Sequence, residues 1–278
     1  MGAITNPNTP PSSEDAQIFS YSQFACIGSG FSAIAVGATL QRWYGIDDVR
    51  FFESQPTLGG TWFANQYPGC ACDVPSALYS FSFESNADWS RVLPPNDELW
   101  VYLKKVADKY ALTDKMTFNV RVEKCEWIEE KARWRMHVRN KTSGVVVIHE
   151  CQFLFSGSGQ FNTPRKLDVP GADRFEGPMF HSARWNWDCD LTGKRVVMFG
   201  NGCTGAQIAP AIVGKTKQLT QIVRSKHWIF PPLDRAIPPA TRWLLAHIPG
   251  SMFISRLLVF TIAETDVLGQ YMTPLGKA

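Results

Sequence analysis

The chain has little of what marks several broad protein classes. Its seven cysteines (Cys26, Cys70, Cys72, Cys125, Cys151, Cys189 and Cys203) are odd in number and none has metal-type spacing. Cys70 and Cys72 are separated by one residue, too close for a common zinc knuckle. Reduced thiols in an intracellular setting are expected. Charge of one sign is also scarce: a net +3 over 278 residues is too small to imply nucleic acid. No secretory apolar segment opens the chain, and residues 1–16, polar and proline-rich, are expected to be a disordered tail. Asn6 stands where myristoylation of Gly2 requires Ser or Thr, and Asn140-Lys-Thr142 reads as a chance sequon. The longest apolar stretch, Met252 to Ala263, contains Arg256 and is too short to span a bilayer. It reads as a buried or amphipathic helix, or as a surface that docks on something. No low-complexity tract follows the tail. With 45% hydrophobic and 19% charged residues, the chain suits a soluble globular protein with room for about two domains.

What the chain does have is one glycine fingerprint twice: Gly28-Ser-Gly30-Phe-Ser-Ala33 and Gly200-Asn-Gly202-Cys203-Thr204-Gly205. Each lies between an apolar strand-like run and a helix-like run, the context that gives the pattern meaning. The first glycine allows the tight turn, and the second lets the backbone approach a pyrophosphate. The helix that follows points free N–H groups at the phosphates. In the first unit, strand 24–27 and helix 32–44 are followed by strand 49–53, which ends in Glu53, an acid placed to bond a ribose hydroxyl. Ala33 replaces the third glycine, a permitted variant. In the second unit, strand 195–199, helix 203–213 and strand 219–223 lead into Arg224-Ser225-Lys226. A basic residue there suits a 2′-phosphate, so the second site is expected to take NADP and the first a dinucleotide with a free ribose. Two nucleotides in one chain suggest electron transfer between them.

Between the fingerprints, Asn96 is placed as a helix N-cap, followed by Leu99, Tyr102, Leu103, Val106 and Tyr110 at helical spacing. Segments 120–127, 134–138 and 145–150 alternate as a three-stranded antiparallel meander, and 153–156 reads as a separate final strand. The expected fold is α/β, with two Rossmann-like dinucleotide-binding domains, the first carrying the antiparallel three-stranded insertion. Expected boundaries are 17–165 for the first domain and 166–278 for the second.

Two longer stretches are more specific. Gly59-Gly-Thr61-Trp62-Phe63-Ala64 through Ala71-Cys72-Asp73 to Tyr79 resembles the flavin loop of class B flavoprotein monooxygenases, most closely the Baeyer–Villiger type. Phe175, Gly177, His181 and Trp185 match that family's FxGxxxHxxxW fingerprint, with Asn186 departing from the usual Pro or Asp. The resemblance covers about residues 20–265. It implies FAD held by Gly28, Gly30, Ala33 and Glu53, with Thr61, Trp62, Phe63, Ala64, Ala71, Cys72, Asp73 and Tyr79 along the flavin and Val122 on the adenine side. NADPH would lie on Gly200, Gly202, Cys203, Thr204, Gly205, Arg224, Ser225 and Lys226. Asp73 is either an acid beside the flavin and nicotinamide or a turn former before Pro75. Arg256, in a helix similar to that of fungal and acetophenone-type relatives, either faces the flavin or snorkels to a surface. His181 is expected to be a hydrogen-bonded linker residue, and no metal role is expected.

The resemblance further implies an NADPH-dependent monooxygenase in which a C4a-peroxyflavin inserts oxygen beside the carbonyl of a hydrophobic ketone. Oxygenation of nitrogen or sulfur is the alternative chemistry. Members of that family are considerably longer, so the second domain is expected to be incomplete. A partner chain could supply the remainder, or the chain could be a non-catalytic nucleotide-binding remnant.

Overall fold

The structure is a computed structural model, and it describes residues 18–160, 163–165, 167–227 and 234–272. The expected tail at 1–16 lies outside the described residues. The chain divides into two compact units: residues 1–60 with 107–159, and residues 61–106 with 160–278. The segment 61–106, expected to belong with the first dinucleotide unit, thus clusters with the second.

The first unit is built on a six-stranded sheet. Strands β1 (Ile18–Ile27), β2 (Val49–Phe52), β3 (Met116–Thr117), β4 (Val120–Ile128), β5 (Arg133–Asn140) and β6 (Val146–Ser156) take the order β3-β2-β1-β6-β5-β4. β3, β2, β1 and β6 run parallel, while β5 pairs antiparallel with both β6 and β4. Helix α1 (Phe31–Tyr44) follows β1 and buries Ala33, Ile34, Gly37, Ala38 and Leu40. Its approach is close: a Cβ on Gly37 would lie 2.8 Å from Phe51 Cζ and 2.9 Å from Leu112 Cδ2. The sheet's own core gathers Ala25, Phe52, Val120, Met136, Val138 and Cys151.

Two strands differ from expectation. Segments 145–150 and 153–156 are one strand, β6, because its backbone pairs with β1 in one register from Ser20–His149 to Ile27–Ser156. The meander is therefore an extension of the dinucleotide sheet and not a separate insertion. β1 also starts six residues before the expected Phe24, through the polar residues Ser20, Ser22 and Gln23. The reason is His149. Its ring is fully buried, with Nδ1 2.7 Å from Ser20 Oγ and Nε2 2.9 Å from Ser22 Oγ. The Ser22 hydroxyl donates its single proton to the Phe24 carbonyl at 2.6 Å. It must then accept from Nε2–H, which leaves Nδ1 to accept from Ser20. The neutral imidazole is satisfied on both nitrogens, and polar strand residues are what satisfy it.

The second unit contains α2 (Thr61–Ala64), most of α3 (Asn96–Lys109), strands β7 (Arg195–Phe199) and β8 (Gln218–Ile222), α4 (Cys203–Ile212), α5 (Pro239–His247) and α6 (Ser251–Met272). β7 and β8 form a parallel pair with α4 between them in sequence. Tyr67, Cys70, Ile208 and Ile212 form a core against Trp185, Leu191, Val196, Met198 and Leu219. Asn96 lies inside α3, donating to the Asn65 carbonyl at 3.3 Å, while Leu99, Tyr102, Leu103 and Val106 are buried as their spacing predicts. Residues 90–92 pair with 235–237, anchored by an ion pair between Arg91 and Asp234. No single helix among the described residues is long and apolar enough to cross a membrane.

Burial, aided by the nearby Arg50 charge and opposed by Asp48, pushes the His149 imidazole down to about 4. The unfolded chain, with an ordinary imidazole, binds the extra proton between about pH 6.5 and 4. Stability is therefore complete above about pH 6.5 and falls on acidification, by up to about 3 kcal/mol from this residue. In urea titrations across this range, His149→Asn should flatten the slope. An unchanged slope would mean that other groups set the acid response.

Candidate active site

The two glycine turns have the same construction. In the first unit, Gly28 has φ +97°, and a Cβ on it would lie 2.5 Å from the Gly157 carbonyl oxygen, so no other residue fits. Gly30 caps α1 with no side-chain hydrogen bond, and no acid lies in the first turn. In the second unit, Gly200 has φ +105°, Gly202 caps α4 without a side chain, and the first turn again lacks an acid. At neither helix start does the N-cap residue offer a side chain to the first N–H groups, an arrangement open to an anion. A Cβ on Gly205 would lie 2.9 Å from the Gly200 carbonyl oxygen, whereas Gly202 faces open space. The third glycine packs the turn and the second leaves room for a ligand. These features fit a dinucleotide pyrophosphate at each turn.

Glu53 is the hinge of the first turn. Its side chain is buried; Oε2 accepts from both the N–H and the hydroxyl of Ser29 at 2.8 Å, and Oε1 accepts from the Gln55 N–H at 2.8 Å. The acid expected at a ribose is therefore also the brace of the glycine turn. Ala33 is fully buried. The backbone of Gly60 abuts Gly30, since a Cβ on Gly60 would lie 2.9 Å from Gly30 Cα, and the Gly59 N–H donates to the Ser29 carbonyl. Val122 is half-buried on β4, opposite Val138 and against the sheet core.

The remaining candidates lie in the second unit. Trp62 is buried, its Nε1 donating to the Tyr79 hydroxyl at 3.2 Å with the rings edge-on at 5.5 Å. Thr61, Phe63 and Ala64 are half-buried on α2. Cys70 and Cys72 are buried, and burial pushes the Cys72 thiol up to about 11. Asp73 is exposed, and its carboxylate lies near the first residue of α4: more than partial burial, it raises the pKa of the Cys203 thiol. The residue expected between two cofactors thus sits at the start of the second dinucleotide helix. Thr204 contacts the Tyr67 hydroxyl.

Arg256, on α6, neither stands free nor pairs with a carboxylate. Its Nη1 donates to the carbonyls of Ala77 at 2.9 Å and Ser80 at 3.1 Å. It therefore ties α6 to the loop that runs from Asp73 to Tyr79, while Nε and Nη2 retain donors. Arg224, Ser225 and Lys226 are exposed just past β8, and the Asn201 side chain donates to the Ser225 carbonyl at 2.8 Å. His181 accepts from the Ala183 N–H at 3.1 Å and so caps a short turn. Among the described residues no three or more His, Cys, Asp or Glu side chains come together as a metal site.

Sequence reasoning missed Gln207. Its side-chain Oε1 accepts from the Tyr67 hydroxyl at 2.8 Å and from the Ala71 N–H at 3.4 Å, and its Nε2 donates to the Ala71 carbonyl at 2.9 Å. Only its position one helical turn after Cys203 hinted at a role.

Comparison with known proteins places these features in a family. The model of the flavin-binding monooxygenase-like family matches residues 67–263, and that of an NAD(P)-binding Rossmann-like domain matches 26–94. A Baeyer–Villiger monooxygenase of Streptomyces coelicolor is 40% identical over 255 residues, 91% of this chain and 48% of the relative. One from Pseudomonas aeruginosa is 35% identical over 275 residues, 98% of this chain and 49% of the relative. The closed crystal structure of cyclohexanone monooxygenase superposes with a TM-score of 0.71 at 27% identity, covering 81% of this chain and 42% of that one. Oxidised steroid monooxygenase bound to NADP gives a TM-score of 0.70 at 32% identity, covering 81% of this chain and 43% of that one. The chain spans about half the length of the curated relatives it matches.

Replacing Asp73 by Asn removes the carboxylate that keeps the Cys203 thiol protonated. The pH midpoint for alkylation of Cys203, followed by peptide mass spectrometry, should fall. A midpoint equal to that of the wild type would show that the contact has no electrostatic weight.

Proposed function

Because the chain belongs to the flavin-binding monooxygenase-like family, we propose that it binds FAD at the Gly28–Gly30 turn and NADPH at the Gly200–Gly202 turn, and serves a Baeyer–Villiger oxidation. The observation that carries this reading is the pair of glycine turns with uncapped helix starts, one braced by an acid and one followed by exposed basic residues. NADPH would supply two electrons to FAD, and the reduced flavin would activate O2. One oxygen atom would enter an ester or lactone next to a ketone carbonyl, and the other would leave as water.

The residues supply position and electrostatics. The α1 and α4 starts offer backbone N–H groups to the two pyrophosphates. Glu53 holds the first turn open for the ribose side. Trp62 and Tyr79 brace each other in the flavin loop, and Asp73 presents a carboxylate at the start of α4. Arg256 fixes the same loop through two carbonyls and keeps further donors for an anion. Val122 serves the adenine side. An apolar ketone is the proposed substrate, with nitrogen or sulfur oxygenation as the alternative when no carbonyl is offered.

A second reading has its own observation. Along α5 and α6, Trp243, Leu244, Phe253, Ile254, Leu257, Leu258, Phe260 and Ile262 are exposed. Further polypeptide, in the same or a partner chain, would cover them and exclude water from the flavin. Without that cover, NADPH would be consumed with release of hydrogen peroxide and no ester.

Purified protein should be yellow with FAD and should prefer NADPH to NADH by roughly tenfold to hundredfold, the effect of a charge-assisted contact of about 1.5–3 kcal/mol. Arg224→Ala should remove most of that preference in binding titrations. Protein that takes up neither added FAD nor NADPH would refute the assignment, and NADPH oxidation without ester would select the second reading.

A further inference from the structure

The strand-like segment around Ala71 is held on both edges by backbone-type hydrogen bonds, but only one edge is backbone. On that edge, the Cys72 N–H donates to the Pro94 carbonyl at 2.9 Å, the Asn96 N–H donates to the Cys70 carbonyl at 3.0 Å, and Ala71 bridges to Pro95. On the other edge the partner is the Gln207 amide, which accepts from the Ala71 N–H and donates to its carbonyl. A primary amide carries the same donor and acceptor as a peptide, so Gln207 stands in for a neighbouring strand.

The contact repeats along α4. A Cβ on Gly69, itself at φ +79°, would lie 2.6 Å from the Gln207 carbonyl oxygen and 3.2 Å from Ala211 Cβ. Ala71 meets Gln207, and Asp73 meets Cys203. Residues 69, 71 and 73 thus run antiparallel to helix positions 211, 207 and 203. The spacing matches: two extended residues advance about 6.6 Å, and four helical residues about 6 Å. Tyr67 adds its hydroxyl to Gln207 Oε1 at 2.8 Å. Between them, the Gln207 amide and the Tyr67 hydroxyl satisfy each other and both polar atoms of Ala71.

We propose that Gln207 is a positioning residue that locks the flavin loop onto the second dinucleotide helix and thereby sets the Asp73 carboxylate at that helix's start. Its catalytic consequence rests on the function proposed above. The step that it positions is transfer of a hydride, one proton with two electrons, from NADPH, oxidised to NADP⁺, to FAD, which is reduced.

The clamp has a readout that needs no cofactor. Gln207→Asn shortens the amide by one methylene and draws it back from Ala71, so Asp73 loses its register over Cys203. Alkylation of Cys203 by iodoacetamide near neutral pH should accelerate by about threefold or more, as the thiol loses the carboxylate that keeps it protonated. In the Asp73→Asn background, the same substitution should add nothing, because the carboxylate is already gone. Wild-type Cys203 reactivity in folded Gln207→Asn overturns the proposal. Where that variant does not fold, hydrogen exchange of the wild-type Ala71 amide decides. Protection like that of the Cys72 amide supports the clamp, and exchange at the rate of an open loop overturns it. With FAD bound, Gln207→Asn should slow flavin reduction at saturating NADPH more than it weakens NADPH binding. Faster alkylation with an unchanged reduction rate would refute the positioning role and leave the proposed function standing.

Discussion

Everything in this molecule turns on how close a backbone can come to another group when no Cβ stands between them. At Gly28 the approaching group is the Gly157 carbonyl, at Gly60 the Gly30 backbone, and at Gly69 the Gln207 carbonyl. The first of these fixes the exit of β1 toward α1, and the last seats the loop around Gly69 on α4. A methyl group at Gly28 or Gly69 would collide with a carbonyl oxygen on a backbone already in the left-handed region. The helix starts that follow the turns have uncapped N–H groups as a result of this geometry, because a glycine N-cap offers no side chain to satisfy them. A site for anions is thus what remains when the turn is made as tight as the sheet requires.

The polar groups buried around these turns are fully used. Ser29, Glu53 and Gln55 satisfy one another in the first unit, and Gln207, Tyr67 and Ala71 do so in the second. Such groups are expensive when unpaired, so each network also fixes geometry. Glu53 illustrates the economy: the atoms that brace the turn belong to the side chain that the dinucleotide pattern assigns to a ribose. A loss of Glu53 therefore acts on the fold whatever it does to a ligand, which separates it from Arg224, exposed past β8.

The features legible in the sequence were those whose partners lie close in the chain. The glycine turns, α1, α4 and the buried stripe of α3 follow from local spacing, and the structure reproduces them. The misread strand ends have non-local causes. Ser20 and Ser22 look like loop residues until His149 arrives on the adjacent strand, and Gln152 looks like a break in β6 until β1 pairs straight past it. Gln207 was invisible for the same reason. A glutamine in mid-helix is ordinarily solvated, and Ala71, which it grips, is 136 residues away. Arg256 was legible as an arginine set in an apolar stretch, but its partners are carbonyls of Ala77 and Ser80, and no residue type signals a carbonyl.

That distribution bears on where selectivity can reside. Beside the apolar packing of Tyr67 and Cys70 on Ile208 and Ile212, the hydrogen bonds from Gln207 and Arg256 end on backbone groups of the loop, so those bonds are indifferent to side-chain drift in the loop itself. Three polar side-chain contacts stand out there: the Gln207 amide with Tyr67, the Arg256 guanidinium and the Asp73–Cys203 pair. The first two grip main chain and carry no information about a ligand. Asp73 is the one of the three that is exposed, charged and set at a helix start. A carboxylate there opposes an anion attracted by the α4 N–H groups and favours a cation or a hydrogen-bond donor. An oxidised nicotinamide ring is cationic and its carboxamide is a donor, whereas a phosphate is neither. Under the function proposed above, this charge pattern would sort the two ends of a dinucleotide, with phosphate drawn to the uncapped glycine turn and the oxidised ring to the acid beside it.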